Sequence, residues 1–228
     1  MVPVSAADEA RHRPSGAPGW HEAHRVDAWS SDGGLGLSWS VTARPATGRV
    51  SFLASVLRRD EPSIVLAEDD IELPAARWEV RTSGLWADCV CETPLDHWSY
   101  GLESFALIVS DPAELRGRGL GDRVALGWEL EFEASGEARW DAPDAYRQDG
   151  EVHGIVLVGR QRLEVSLAGV RRHWWGSAPP PVFDTVAVPG ATALPEPGGC
   201  WWIALAGGGL HVSRQPDGIS SGTASPGS

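Results

Sequence analysis

Val124-Ala-Leu-Gly-Trp-Glu-Leu-Glu-Phe-Glu-Ala134 alternates with a period of two. Val124, Leu126, Trp128, Leu130, Phe132 and Ala134 fall on one side, and Glu129, Glu131 and Glu133 on the other. Only an extended chain turns every second side chain the same way, so the run predicts a strand with one face on a core and one in water. Three carboxylates with no histidine among them read as a solvated face, not a metal site. Leu35–Ala43 repeats the pattern with Leu35, Leu37, Trp39, Val41 and Ala43 on one face. Strand-like runs follow at Val50–Leu57, Ser63–Leu73, Arg77–Cys91, His97–Val109, Glu151–Val158 and Leu163–Trp175. Turn signals separate them, among them Ala46-Thr-Gly48, Asp60-Glu-Pro62, Asp111-Pro112 and Asp149-Gly150. Gly159-Arg-Gln-Arg162 reads as the tight connection of a hairpin. Helical periodicity is confined to short pieces, with one turn expected near Asp141–Tyr146. The expected fold is all-β, an antiparallel barrel, because long strands joined by short turns can wrap around a closed sheet.

The chain's 228 residues suffice for one large β domain or somewhat more. Residues 19–178 are expected to form the barrel domain. Residues 179–213, broken by Pro179-Pro-Pro181 and Pro195-Glu-Pro197, hold the strand candidates Val182–Val188 and Cys200–Val212. They read as closing strands or a truncated second barrel. Residues 1–18 and 214–228 carry too little apolar surface to offset the entropy of ordering, so both are expected to be disordered.

A formal net charge of −12 and the lack of any lysine argue against a nucleic-acid partner and against anionic membranes. The longest apolar runs, such as Cys200–Ala206, fall far short of a bilayer span, so no integral membrane segment is expected. No charged stretch followed by an apolar one opens the sequence, which predicts no secretory leader and a cytoplasmic location. Cys89 and Cys91 share a strand face and read as small buried hydrophobes. Twelve tryptophans stand against four phenylalanines and two tyrosines. Such residues fill barrel interiors or line pockets.

Familiar catalytic signatures are missing, and Gly117-Arg-Gly-Leu-Gly121 lacks the strand-to-helix context of a nucleotide loop. His21 and His24 are three apart with no helical pattern around them, so a shared metal ion is not expected there. The more informative segment is Leu163–Gly176. Leu163, Val165, Leu167 and Gly169 lie on one face, and Arg171, His173 and Trp175 continue it toward the core. A buried cation is costly unless paired. Either a structural Arg–carboxylate pair closes the barrel end, or a polar ligand or catalytic group needs these side chains.

Two stretches carry a family resemblance. Tyr146-Arg-Gln148-Asp-Gly150-Glu-Val-His-Gly154 and Arg171-Arg172-His173-Trp174-Trp175-Gly176 resemble a Tyr-x-Gln-x-Gly-x-x-x-Gly run and an Arg-Asp-His-Ser-Trp-Gly strand end. Both belong to lipocalin-like proteins related to carotenoid 1,2-hydratases, also called hydroxyneurosporene synthases. Trp20-His21-Glu22 is similar to the start of such proteins. Arg172 and Trp174 stand where that family has Asp and Ser. The resemblance implies lipocalin-like barrels enclosing a hydrophobic small molecule, often a polyene or isoprenoid. It implies ligand contacts from Trp175, Trp174, Tyr146, Gln148 and Trp128. If the protein is an enzyme, it would be a hydratase or isomerase acting on an unsaturated apolar substrate, with His173 as acid/base and Arg171 orienting it. No cofactor and no metal are expected. The alternative is a structural or interaction β domain without a ligand, its tryptophans all core.

Overall fold

The computed structural model describes residues 2–32, 34–58, 61–75, 77–109 and 122–177, and the backbone of three later strands at 192–195, 200–204 and 210–214. Its strands are β1 (His21–Trp29), β2 (Leu35–Arg44), β3 (Arg49–Arg58), β4 (Ser63–Glu72), β5 (Trp78–Thr82), β6 (Leu85–Thr93) and β7 (His97–Val109). There follow β8 (Arg123–Ala134), β9 (Arg139–Ala142), β10 (Ala145–Val158), β11 (Gln161–Gly176), β12 (Thr192–Pro195), β13 (Cys200–Ala204) and β14 (Leu210–Arg214).

Hydrogen-bonded neighbours run β4-β3-β2-β1-β11-β10-β8-β7, and β4 pairs with β7 to close the ring. Every pairing is antiparallel. Closure satisfies the backbone groups that an open sheet would leave at its edges. A ring of eight strands encloses a space that side chains fill or that holds one small ligand. The β5–β6 hairpin pairs with the first half of β7, while Leu107–Val109 of the same strand pairs with β4. β9 lies along the start of β10.

The alternation read from sequence matches the burial of β8. Leu126, Trp128, Leu130 and Phe132 are buried in the main core, and Glu129 and Glu133 are exposed. β1, β2 and β3 differ, being buried on both faces. Their outer face carries small polar groups, Ser38, Ser40, Thr42, Ser51 and Ser55, beside Leu53 and Leu57. β12–β14 form a sheet of their own, and β14 runs close to β2 and β3. β12–β14 pair with one another and not with the ring, whose closure falls to β4 and β7. Val182–Val188 and residues 215–228 lie outside the described residues.

Local readings differ in four places. Arg77–Cys91 is two strands, because Ser83-Gly84 makes a turn between β5 and β6. That dipeptide is a turn signal which the surrounding alternation masked. Asp141–Tyr146 is no helical turn but the passage from β9 to β10. Asp149-Gly150 is no turn either. Gly150 sits within β10 between Gly169 and Ala134, where a Cβ would come within 2.4 Å of the Glu133 carbonyl oxygen. Its bareness permits a close strand approach.

The fourth difference concerns residues 1–18, expected to be disordered. From Val2 onward they lie against the barrel, with a short 3-10 turn at Ala6–Glu9. Ser5 donates to the Asp8 carboxylate at the start of this turn. Val4 and Glu9 are buried. Polar contacts, not apolar area, order the segment: the Arg11 guanidinium donates to the Pro74 carbonyl, and the Trp140 indole donates to the Val2 carbonyl.

Candidate functional site

Register decides what meets inside the barrel end. His173 on β11 is opposite Tyr146 on β10 and His24 on β1, and Arg171 is opposite Gln148 and Val26. Directly paired residues point to the same side of a sheet. Arg171, His173, Tyr146, Gln148, Glu22 and His24 are all nearly or fully buried.

Arg171 is held on several sides. Its Nη1 and Nη2 donate to the two oxygens of Glu9 at 3.0 and 2.7 Å, and Nη2 donates to Gln148 Oε1 at 2.7 Å. The Trp98 ring lies 5.0 Å from the guanidinium carbon. Burial alone would lower its pKa, but Tyr146 and Glu9 override that and push it up. Gln148 also donates to the carbonyls of Leu95 and Gly136, tying two loops to the site. A structural Arg–carboxylate pair is therefore present.

His173 Nε2 is 3.0 Å from Glu22 Oε1, and its Nδ1 is 3.0 Å from the Asp8 carbonyl and 3.4 Å from the Tyr146 hydroxyl. His12 brings both its backbone N–H and its Nδ1 to the same Glu22 oxygen, at 2.8 and 2.9 Å. The second oxygen of Glu22 accepts no hydrogen bond among the described residues. Burial would raise the Glu22 carboxyl, but the hydrogen bonds from His12 and His173 outweigh it and hold the group below its ordinary value. Burial lowers His173, against the pull of Glu22. His24 stacks on His173 with ring centroids 3.7 Å apart; burial, then the charges around it, holds it well below its usual value. Neither of its nitrogens has a partner among the described residues.

Of the residues singled out from sequence, Arg171, His173, Tyr146 and Gln148 come together. Trp175 lies at the edge of this group, stacked on His12 at 3.5 Å. Trp174 is on the opposite face of β11, packed with Ala23 and Ala145. Trp128 points inward but sits toward the other barrel end, opposite Val156, which in turn faces Leu163. His21 faces outward and His24 inward, so they cannot share an ion. Glu9, His12, Glu22 and His24 were not foreseen as site members. Glu22, His24, Val26 and Ala28 do alternate along one face, which is the signal that was available for two of them. Glu9 and His12 carry no such pattern.

The positions that depart from the family motif, Arg172 and Trp174, both face outward. Arg172 donates to Asp27 Oδ2 at 2.9 Å; Arg25 grips the same carboxylate with two bonds at 2.6 and 2.7 Å, and Ser38 adds one at 2.6 Å. An acid at 172 would thus not have pointed into the barrel. Among the described residues, the acids buried inside the barrel end are Glu9 and Glu22.

From this cluster onward the interior holds donors without acceptors among the described residues. The indole N–H groups of Trp39, Trp78, Trp98 and Trp128 and the Tyr100 hydroxyl are buried and have no partner among the described residues. Buried polar groups normally find one.

Fold and site together define an antiparallel β-barrel protein with an ionisable cluster enclosed at one end. Residues 5–180 match the family described as Domain of unknown function (DUF7064), and the chain belongs to that family. The match begins at Ser5, so the segment carrying Glu9 and His12 is part of the family's unit. No curated protein matches the chain.

Proposed function

We propose that this chain binds a largely apolar small molecule bearing oxygen acceptors inside its barrel. The observation that carries the reading is the set of unpartnered indole and phenol donors at Trp39, Trp98, Trp128 and Tyr100, set among aliphatic core residues. An apolar body would pack against the ring faces, while a carbonyl or hydroxyl would answer the buried N–H groups. The resemblance to carotenoid hydratase relatives favours a polyene or isoprenoid.

Turnover is the second part of the proposal. Hydrating an alkene begins with protonation, which needs an acid. His173, held below its ordinary pKa, is neutral near pH 7 and serves better as a base. Isomerisation through proton abstraction fits that state better than hydration does, with Arg171 acting on the site through Tyr146 and Gln148. The Glu9–Arg171 pair favours the second reading, a structural β domain whose tryptophans are all core.

Titration with a conjugated tetraene fatty acid and with an isoprenoid alcohol separates the two. Binding predicts saturable quenching of tryptophan fluorescence that weakens in Trp98→Phe. Emission that stays unchanged up to the solubility limit of both compounds, in correctly folded protein, would leave the structural reading standing.

A further inference from the structure

We infer that His12 Nδ1, Glu22 Oε1 and His173 Nε2 form one face of a binding site for a divalent first-row transition-metal ion. The three atoms lie within 4.8 Å of one another. The Glu22 oxygen is 2.9 Å from one imidazole nitrogen and 3.0 Å from the other. An ion about 2.1 Å from each ligand, with ligands at right angles, requires ligand separations of about 3.0 Å. Two imidazoles and one carboxylate, with the remaining positions open, suit iron(II), cobalt(II) or zinc rather than calcium or magnesium.

Proton placement is the second, independent observation. A neutral imidazole has a single N–H, yet His173 meets an acceptor at each nitrogen: the Asp8 carbonyl at Nδ1 and the Glu22 carboxylate at Nε2. A carbonyl can only accept, so in the tautomer that serves the Asp8 carbonyl the proton is on Nδ1 and the Nε2 lone pair is turned to Glu22, whereas the other tautomer donates from Nε2 to Glu22. In the first tautomer the imidazole and carboxylate lone pairs meet at 3.0 Å, and a cation between them satisfies both. The Tyr146 hydroxyl could donate to Nδ1 instead, but at 3.4 Å it is the longer contact. A histidine that gives its far N–H to a backbone carbonyl while turning the other nitrogen to a carboxylate has the outer-shell arrangement of a metal ligand.

The surroundings fit the same role. Glu22 is fixed by the His12 backbone N–H, and its second oxygen accepts no hydrogen bond among the described residues, with Arg11 Nε 4.0 Å away. Glu9 compensates the nearby Arg171, which would otherwise repel a cation. His12 is partly exposed, which gives an ion a way in.

The test needs no organic ligand, so it stands apart from the binding proposal above. Untagged full-length protein, treated with chelator and dialysed, is titrated with cobalt(II) near neutral pH. One ion per chain is expected, with visible ligand-field bands. His12→Ala and Glu22→Gln should each weaken binding by more than about tenfold, since loss of even an outer-shell partner has that effect. His12 lies outside every strand, so its substitution should leave the barrel folded, as circular dichroism would verify. Absence of stoichiometric uptake overturns the site, as does uptake that survives both substitutions.

Discussion

One strand end feeds two polar clusters on opposite sides of the same sheet, and they are built differently. Outside, Asp27 receives four hydrogen bonds from Arg25, Arg172 and Ser38, so each carboxylate oxygen is met twice. Inside, Arg171 and His173 belong to a group in which, among the described residues, one Glu22 oxygen is crowded and the other is bare, and His24 has no partner at either nitrogen. A saturated buried network holds a structure together. Unused hydrogen-bonding capacity at full burial is a different matter, because it is costly and persists where something else makes use of it. Alternation along β11 therefore separates a fastening from a candidate reaction chamber by a single residue step.

The largest expected effect falls on the outer cluster. Asp27→Ala strips both guanidiniums of their shared carboxylate and should cost roughly 3–5 kcal/mol of stability. Denaturant unfolding measures this loss, and cobalt uptake by the molecules that remain folded should be unchanged. A loss below about 1 kcal/mol would erase the contrast between the two sides.

Glu9→Gln sharpens the comparison from within. Glutamine keeps one acceptor for Arg171 but removes the charge, so a smaller loss of roughly 2–3 kcal/mol is expected. Faster proteolysis within residues 2–18 should accompany it, because Glu9 is the segment's buried anchor. Proteolysis unchanged from wild type would show that the anchor lies elsewhere.

His24→Phe should change stability least at neutral pH, by about 1 kcal/mol and toward greater stability, since a buried imidazole without partners is exchanged for an apolar ring. Acid makes the difference grow. Burial holds His24 and His173 below the ordinary histidine value of about 6.5, so the unfolded chain takes up protons that the folded chain refuses. Stability is then lost as pH falls below about 6.5, on the side where the unfolded state binds more protons. Glu22 adds a further loss only below the ordinary carboxylate range, as acid protonates a carboxylate held low in the fold. Melting temperatures from pH 8 to 5 should fall less steeply for His24→Phe than for wild type. Parallel curves would show that His24 does not titrate as described.

Period-two alternation made the barrel legible, and the parity of Leu163–Trp175 correctly turned Arg171 and His173 inward. Within the resemblance motif, structure separates two kinds of residue. Tyr146 and Gln148 reach Arg171, whereas Gly150 and Gly154 serve close packing. Gly154 has φ +142°, and a Cβ there would come within 2.1 Å of the Glu129 carbonyl oxygen. The partners were hidden for a physical reason. Glu9 and His12 lie in a segment poor in apolar residues; Glu9 is ordered by its ion pair with Arg171, 162 residues away, and His12 by hydrogen bonds to Glu22 and stacking on Trp175. Periodicity reports burial of apolar surface and is blind to such contacts. Ser83-Gly84 was missed because the apolar pattern resumes at Leu85 directly after the turn.

The bond from Arg171 to Glu9 spans 162 residues, and that from His173 to the Asp8 carbonyl spans 165. On the ribosome, the segment carrying Asp8 and Glu9 must therefore wait for the last strand of the barrel. Until Gly176 has left the exit tunnel, Glu9 lacks its guanidinium partner and the Asp8 carbonyl its imidazole, so an occupied barrel end is itself the mark of a finished domain.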